Sequence, residues 1–196
     1  MDPISLLTGR YSTPANQLDD PAPSDSELAQ ILCSAVAAPD HGGLRPWRFR
    51  IIRGEARRRL GKVFADATRA RAPSTDAQAL EDAAAKPLRA PMIIAVAAHC
   101  DPDHPKIPES EQLLSAGAAV QQIQLAARAL GYGAIWLTGA NTYDAQVAEA
   151  LGLEFDDRLV AFIYIGTERD SARPPERPDP WAFAVEWSEP EQHDTL

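Results

Sequence analysis

Apolar residues recur at helical spacing in several segments of the chain. The clearest segment begins with a capping box, Ser24 followed three residues later by Glu27, and continues with apolar residues at positions 28, 31, 32, 35 and 36. Pro39 cannot continue a helix, so this one ends before it. Further helices are predicted over 3–8, 54–71, part of 72–90, 109–130 and 142–152.

Other stretches carry the patterns of β-strands. Residues 48–52 alternate polar and apolar side chains, which is typical of a half-buried strand. The largely apolar runs 92–98 and 158–166 predict buried strands, and 133–139 predicts a short strand or a loop. Near the end of the chain, alternating apolar residues over 181–187 predict one more strand.

These elements together predict an α+β fold with a mixed sheet flanked by helices. We assign residues 1–168 to one domain and residues 169–196 to a proline-rich arm and strand of the same domain. The arm contains four prolines between Arg173 and Trp181 and is expected to be extended. A strand carried on such an arm is suited to pairing with another subunit, so we expect a C-terminal extension exchanged within a homodimer.

Composition limits the classes of function. The chain has 196 residues, is 45% hydrophobic and carries a net charge of −9, which disfavours nucleic acid as a partner. No apolar run reaches the length that a bilayer requires, and no secretion signal is visible at the N-terminus. We therefore expect a cytoplasmic protein with no membrane partner.

Common catalytic and metal-binding motifs are missing from the sequence. It contains no Gly-x-Gly-x-x-Gly, no P-loop and no Gly-x-Ser-x-Gly elbow. The two cysteines, Cys33 and Cys100, are far apart and predict neither a disulfide nor a zinc site. The segment HCDPDH at 99–104 has metal-binding residue types, but its spacing matches no standard zinc pattern, so we expect no metal.

Five segments together carry a resemblance that extends over nearly the whole chain. They are LLTGRYS at 6–12, APDHGGLRPWRF at 38–49, APMIIAVAAHC at 90–100, SAGAAVQQIQLAARALGYGAIWLTG at 115–139 and FIYIGT at 162–167. On these segments the chain resembles the FMN-dependent nitroreductase family, in its minimal NAD(P)H nitroreductase branch. The resemblance implies a nitroreductase-like fold, FMN as cofactor, NADPH or NADH as hydride donor, a homodimer and a small-molecule electron acceptor.

The resemblance also implies site residues. The cofactor-binding positions would be Arg10, Tyr11, Ser12, Ala37, His41, Trp136, Leu137 and Thr138. A contact with the nicotinamide nucleotide would lie along Ala126, Ala127, Arg128, Ala129, Leu130 and Gly131, although this sequence suits a buried helix end equally well.

The chemistry of these side chains suits a flavin, with a simpler alternative for each. Arg10 and Ser12 offer a guanidinium fork and a hydroxyl to a phosphate or to the carbonyl edge of the ring, unless Arg10 only pairs with a nearby acid. By resemblance, His41 would reach ribityl or phosphate oxygens across a dimer interface, or else it only orders its loop. Residues 136–138 would lie along the ring, with Thr138 facing its N5 side, or form an ordinary buried strand.

Three departures remove positive charge from the family pattern. By resemblance, Tyr11 stands where relatives commonly carry a second arginine, Leu137 stands where some carry another, and Ala37 stands at a position that is basic in some members. Arg45, Arg173 or Arg177 could compensate for this loss.

The predicted activity is a ping-pong reduction of nitroaromatic or quinone-like acceptors, in which FMN carries the redox chemistry and no side chain acts as nucleophile. One alternative is a flavin-binding homodimer with little or no turnover, or one that has lost FMN. Another is a flavin dehydrogenase for a small substrate, because one fold can host several chemistries.

Overall fold

The computed structural model describes residues 2–170 and 175–187. It contains six α-helices in these ranges: α1 (Pro3–Thr8), α2 (Asp25–Ala35), α3 (Glu55–Arg71), α4 (Ala77–Ala85), α5 (Glu109–Ala129) and α6 (Ala145–Ala150). The strands are β1 (Leu18–Asp19), β2 (Trp47–Arg53), β3 (Met92–His99), β4 (Gly133–Leu137) and β5 (Asp157–Glu168). The predicted helices and the strands upstream of residue 170 are confirmed.

The five strands form one sheet around β5. Strand β3 lies between β5 and β2, while β4 and the short β1 also pair with β5. Ile94 stands opposite Ile51 on one side and Ile163 on the other. All pairings among the described residues are antiparallel, so the α+β class is confirmed but the sheet of this chain is antiparallel rather than mixed.

The sheet is buried on both faces, which explains why β3 is apolar over 92–98 and β5 over 159–166. Helices α2 and α5 cover one face, where they pack on Ile94 and Ile163. Helix α3 and part of α6 cover the other face, where they pack on Ile93 and Phe162. Among the described residues, no helix has the length and apolar character of a membrane span.

Local signals fix the ends of the helices that frame the site. The capping box is present as predicted: the Ser24 hydroxyl accepts from the Glu27 amide, and the Glu27 carboxylate accepts from the Ser24 amide. Helix α5 ends where Gly131 takes a positive φ of 91° and the Tyr132 amide donates to Ala127. This turn leads directly into β4.

Residues 181–187 form no strand within the described part of a single chain. A single 3-10 turn occupies Pro180–Ala182, and residues 183–187 pair with no described strand. The alternating side chains Phe183, Val185 and Trp187 are 79%, 91% and 88% exposed. A period-two pattern forms a strand only where a free sheet edge receives it, and this segment lies on none. Positions 171–174 and 188–196 of the predicted arm, Arg173 among them, lie outside the described residues.

Candidate functional site

The loop after α1 places Arg10 and Ser12 at the surface beside β4. Its backbone is tied to the strand by a hydrogen bond of 3.1 Å from the Thr13 amide to the Ala134 carbonyl. Arg10 is half-buried and Ser12 is exposed, with 3.5 Å between an Arg10 guanidinium nitrogen and the Ser12 hydroxyl. Two hydrogen-bond donors therefore lie together at the start of β4.

A third donor comes from the C-terminal arm. The Arg177 guanidinium donates to the main-chain carbonyl of Arg10. Sequence reasoning named Arg177 only as one of three arginines that could compensate for lost charge. This contact brings a second guanidinium to the loop that carries Arg10 and Ser12, and two guanidinium groups with a hydroxyl suit a phosphate.

Tyr11 lies in the same loop but points into the protein, where it is 7% exposed. Its hydroxyl donates to the Glu168 carboxylate at 2.7 Å, and the buried Thr13 hydroxyl donates to the same carboxylate. Burial and the Glu168 carboxylate raise the pKa of Tyr11 above its usual value. The side chain of Tyr11 is thus committed to Glu168, although the resemblance implies a cofactor contact at this position.

Arg128 belongs to the same cluster. Its guanidinium lies 3.1 and 3.2 Å from the two Glu168 oxygens, and its Cζ lies 4.4 Å from the centre of the Tyr11 ring. The position was predicted to contact a nicotinamide nucleotide. In the described chain its Nη1 donates to Glu168, and its guanidinium makes a cation–π contact with Tyr11, while the nucleotide contact stays a prediction.

The other predicted nucleotide positions border an apolar groove. Ala126, Ala129 and Leu130 line a cavity of about 430 Å³ together with residues of α1 and α2, while Ala127 is buried. The described side chains that line this groove carry no charge. The groove therefore offers no cationic partner to a nucleotide phosphate.

The far end of β4 opens into a second cavity. Trp136 is half-buried against α5, where its ring lies 4.0 Å from the position that a Gly117 Cβ would take. Leu137 and Thr138 line a cavity of about 230 Å³, with Lys86 and Arg89 at its rim. Its other lining residues are Phe64, Arg71, Gly139, Ala140, Asn141, Phe162 and Tyr164.

The second cavity is cationic although the chain as a whole is acidic. Arg71 is paired with Asp144 and donates to Asn141 at 2.8 Å, so its charge is balanced. Lys86 and Arg89 form no ion pair with any acid of the described ranges. Sequence reasoning missed both residues, although KPLRAP places two cations just before the buried strand β3.

His41 is not brought to the Arg10 loop within one chain. Ala37 is exposed beyond α2, and the His41 ring pairs with Glu111 at 2.6 Å. Glu111 lies in the first turn of α5, whereas Arg128 of the Tyr11 cluster lies in its last turn. At 1.5 Å per residue, these two positions on α5 are about 25 Å apart.

The histidines of the segment HCDPDH bond to other groups of the chain. His99 pairs with Asp157 at 2.9 Å, and His104 accepts from the Ile107 amide. Cys100 is buried. No cluster of three or more candidate metal ligands occurs among the residues that the structure describes.

The fold identifies the class of protein. The chain has the nitroreductase fold: it matches the crystal structure of a nitroreductase-like family protein from Bacillus cereus with a TM-score of 0.79 and 26% identity over 97% of both chains. It also matches a nitroreductase-like protein from Desulfovibrio desulfuricans, solved in complex with FMN, with a TM-score of 0.72 and 26% identity over 97% of this chain and 99% of that one.

Sequence comparison gives the family. The profile of the nitroreductase family matches residues 7–167, so the chain belongs to this family of oxidoreductases. It is 42% identical over 186 residues to the Escherichia coli K12 protein named "Putative NAD(P)H nitroreductase YdjA", covering 94% of this chain and 99% of that protein. A Haemophilus influenzae protein named "Putative NAD(P)H nitroreductase" is 37% identical over 88% of this chain and 91% of its own length.

Proposed function

We propose that the chain is an FMN-dependent NAD(P)H oxidoreductase that reduces nitroaromatic or quinone-like acceptors in a ping-pong cycle. The observation that carries this proposal is the meeting of Arg10, Ser12 and Arg177 beside β4, in a chain of the nitroreductase family. When bound, FMN would accept a hydride from NAD(P)H and then pass electrons to the acceptor. The side chains described above would hold and orient it.

The donors fit the phosphate end of FMN. Two guanidinium groups and a hydroxyl supply charge and directed hydrogen bonds for an anion. Because Ser12 is exposed, its hydroxyl is free to turn toward a ligand. We therefore assign the phosphate to Arg10, Ser12 and Arg177.

The cavity at the end of β4 fits the ring end. A strand rises about 3.3 Å per residue, so Ala134, beside the phosphate donors, and Thr138, at the cavity, are about 13 Å apart. Leu137, Phe162 and Tyr164 give the cavity apolar surface. Lys86 and Arg89 would stabilise the negative charge that a flavin ring gains on reduction, because opposite charges attract strongly where water is partly excluded.

A homodimer would complete the site. His41 lies at one end of α5 and the phosphate donors at the other, so His41 would reach the flavin only from a partner subunit. Residues 181–187, whose alternating apolar side chains are exposed in the single chain, would form a strand against that partner. Large exposed apolar side chains of this kind are typical of a surface that a partner covers.

The first test is the visible absorption spectrum of the purified protein after FMN is added and the excess is removed. We expect oxidised-flavin bands that NADPH or NADH bleaches without oxygen, and that return with a nitroaromatic or a quinone. Retained bands that neither donor bleaches would favour a flavin-binding protein without this turnover. A colourless protein would contradict the proposal.

The phosphate assignment is tested by FMN titration of single variants. Arg10→Ala and Arg177→Ala should each weaken FMN binding about tenfold, which corresponds to the loss of one charge-assisted contact. Arg59→Ala is the matched control, because Arg59 is an exposed arginine of α3 outside the site. Unchanged affinity in both site variants would show that the phosphate lies elsewhere.

The exchanged arm is tested by truncation. Removal of residues 173–196 deletes Arg177 and the apolar segment 181–187, and should yield a monomer that loses flavin. Light scattering and absorbance measure both properties. A stable monomer loaded with flavin would contradict the dimer proposal.

A further inference from the structure

Glu168, the last residue of β5, joins three segments of the chain through one carboxylate. Tyr11 and Thr13 donate to it from the loop after α1, and Arg128 donates to it from the last turn of α5. Its side chain is 15% exposed. Each of the two carboxylate oxygens therefore accepts hydrogen bonds from these side chains.

We propose that Glu168 is a positioning residue for the phosphate loop, and that Arg128 cancels its charge so that an anion can bind beside it. The identity of the anion as the FMN phosphate rests on the proposed function above. The positioning itself rests on the contacts of Glu168.

The positioning role follows from how the loop alternates between buried and exposed residues. Tyr11 and Thr13 are 7% and 0% exposed, whereas Ser12 between them is exposed. Both buried residues bond to the same carboxylate, and the Thr13 amide is fixed to Ala134 of β4. With residues on both sides anchored inward, the Ser12 hydroxyl is held outward, next to Arg10.

The charge-cancelling role of Arg128 follows from the negative charge of the Glu168 carboxylate. An unpaired carboxylate under a phosphate site would repel the ligand. Arg128 meets both of its oxygens at 3.1 and 3.2 Å and also stacks 4.4 Å from the centre of the Tyr11 ring. A neutral pair therefore lies beneath the loop, and the positive charge of Arg10 and Arg177 remains available to the ligand.

The experiment compares FMN with riboflavin, which has the ring but no phosphate, by quenching of flavin fluorescence. Arg128→Gln leaves Glu168 charged and unpaired, so FMN affinity should fall about tenfold while riboflavin affinity stays unchanged. The loss should shrink at high salt, because screening weakens repulsion between partly exposed charges.

Variants of Glu168 separate its charge from its geometry. Glu168→Gln keeps an oxygen that can accept from Tyr11 or Thr13 and removes the negative charge, so FMN affinity should equal or exceed that of the unmodified chain. Glu168→Ala removes both anchors and should weaken FMN binding, with circular dichroism checking that the variant folds. Arg58→Gln is the matched control, because it breaks a 3.2 Å ion pair with Glu55 on the exposed surface of α3, outside the site.

The outcomes distinguish this inference from the proposed function. Equal losses of FMN and riboflavin in Arg128→Gln, or a loss that salt does not relieve, would overturn the positioning and charge-cancelling roles while the proposed function stands. Glu168→Gln binding FMN as weakly as Glu168→Ala would also overturn them. An unmodified chain that binds neither flavin would overturn both the inference and the proposed function.

Discussion

Gly61 marks the closest approach of α3 to α4, and its replacement by alanine is a quantitative test of the fold. A Cβ built on Gly61 would lie 2.2 Å from the Ala84 carbonyl oxygen and 3.2 Å from the carbonyl carbon. Both atoms belong to the backbone of α4 and cannot turn away. Helix α4 would therefore have to move by about 1 Å to restore an ordinary contact.

Two opposing terms decide the change in the free energy of unfolding. Alanine is a better helix former than glycine, which would stabilise α3 by about 1 kcal/mol. Overpacking a tight contact costs about 1–3 kcal/mol, and the need to move a backbone places this case toward the upper end. We expect Gly61→Ala to destabilise the fold by about 1–2 kcal/mol, the difference between the two terms.

The same change in α5 provides the control. Within the described residues of one chain, a Cβ on Gly117 would meet only Trp136, at 4.0 Å, so Gly117→Ala should gain up to about 1 kcal/mol of folding stability from helix propensity. Urea unfolding followed by circular dichroism, repeated at two protein concentrations to separate folding from association, measures both variants. Gly61→Ala as stable as Gly117→Ala would refute the reasoning from close approach.

Two further predictions concern titrating groups. Burial raises the pKa of the Cys100 thiol to about 11, whereas Cys33 is exposed. Ellman's reagent should therefore label one thiol in the folded chain and two in urea. Rapid labelling of both thiols in the folded chain would contradict this prediction. Hydrogen bonds from Ser24, and then from Tyr132, lower the pKa of Glu27. Its stabilisation is therefore present above the unfolded pKa of about 4.3 and is lost as pH falls through the lower folded value. Glu27→Gln should be less stable than the unmodified chain at pH 7 but not at pH 2, and an equal deficit at both would contradict the assignment.

The sequence predicts most elements because their signals are local. The capping box of α2 lies within four residues, and the apolar run of β3 is readable without knowledge of its neighbours. Burial on both faces of the sheet makes such a run necessary in β3 and β5. Local physics is therefore sufficient for element type and approximate position.

The contacts of Tyr11 could not be predicted in this way. It was interpreted as the loss of a cation, and Arg128 as a nucleotide contact, whereas the two side chains stack on each other beside Glu168. Tyr11 and Glu168 are 157 positions apart in the chain. No periodicity or capping rule relates residues at that separation.

The C-terminal segment shows a second limit of prediction from sequence. Its alternating pattern was read correctly as a pattern, but a strand also requires a partner edge, and the described part of a single chain supplies none to residues 183–187. A pattern predicts what a segment is able to form. Whether it does so depends on the assembly in which the segment is placed.

The separation of His41 from Arg10 makes a shared site testable without a structure of the dimer. A two-fold axis across the middle of α5 would bring the His41 end of one subunit to the Arg10 end of the other, because such an interface is self-complementary. We expect Arg10→Ala and His41→Ala each to weaken flavin binding when studied alone. In a mixed dimer, one site carries both substitutions and the other carries none.

Unfolding the two variants together and refolding them should therefore restore tight flavin binding at about a quarter of all sites, since half of the dimers are mixed and each of these has one intact site. Each variant refolded alone is the control. Recovery would mean that Arg10 and His41 act on one flavin from different subunits. Complete absence of recovery, with mixed dimers demonstrated by mass spectrometry, would mean that each subunit holds its flavin alone, and His41 would then serve only its contact with Glu111.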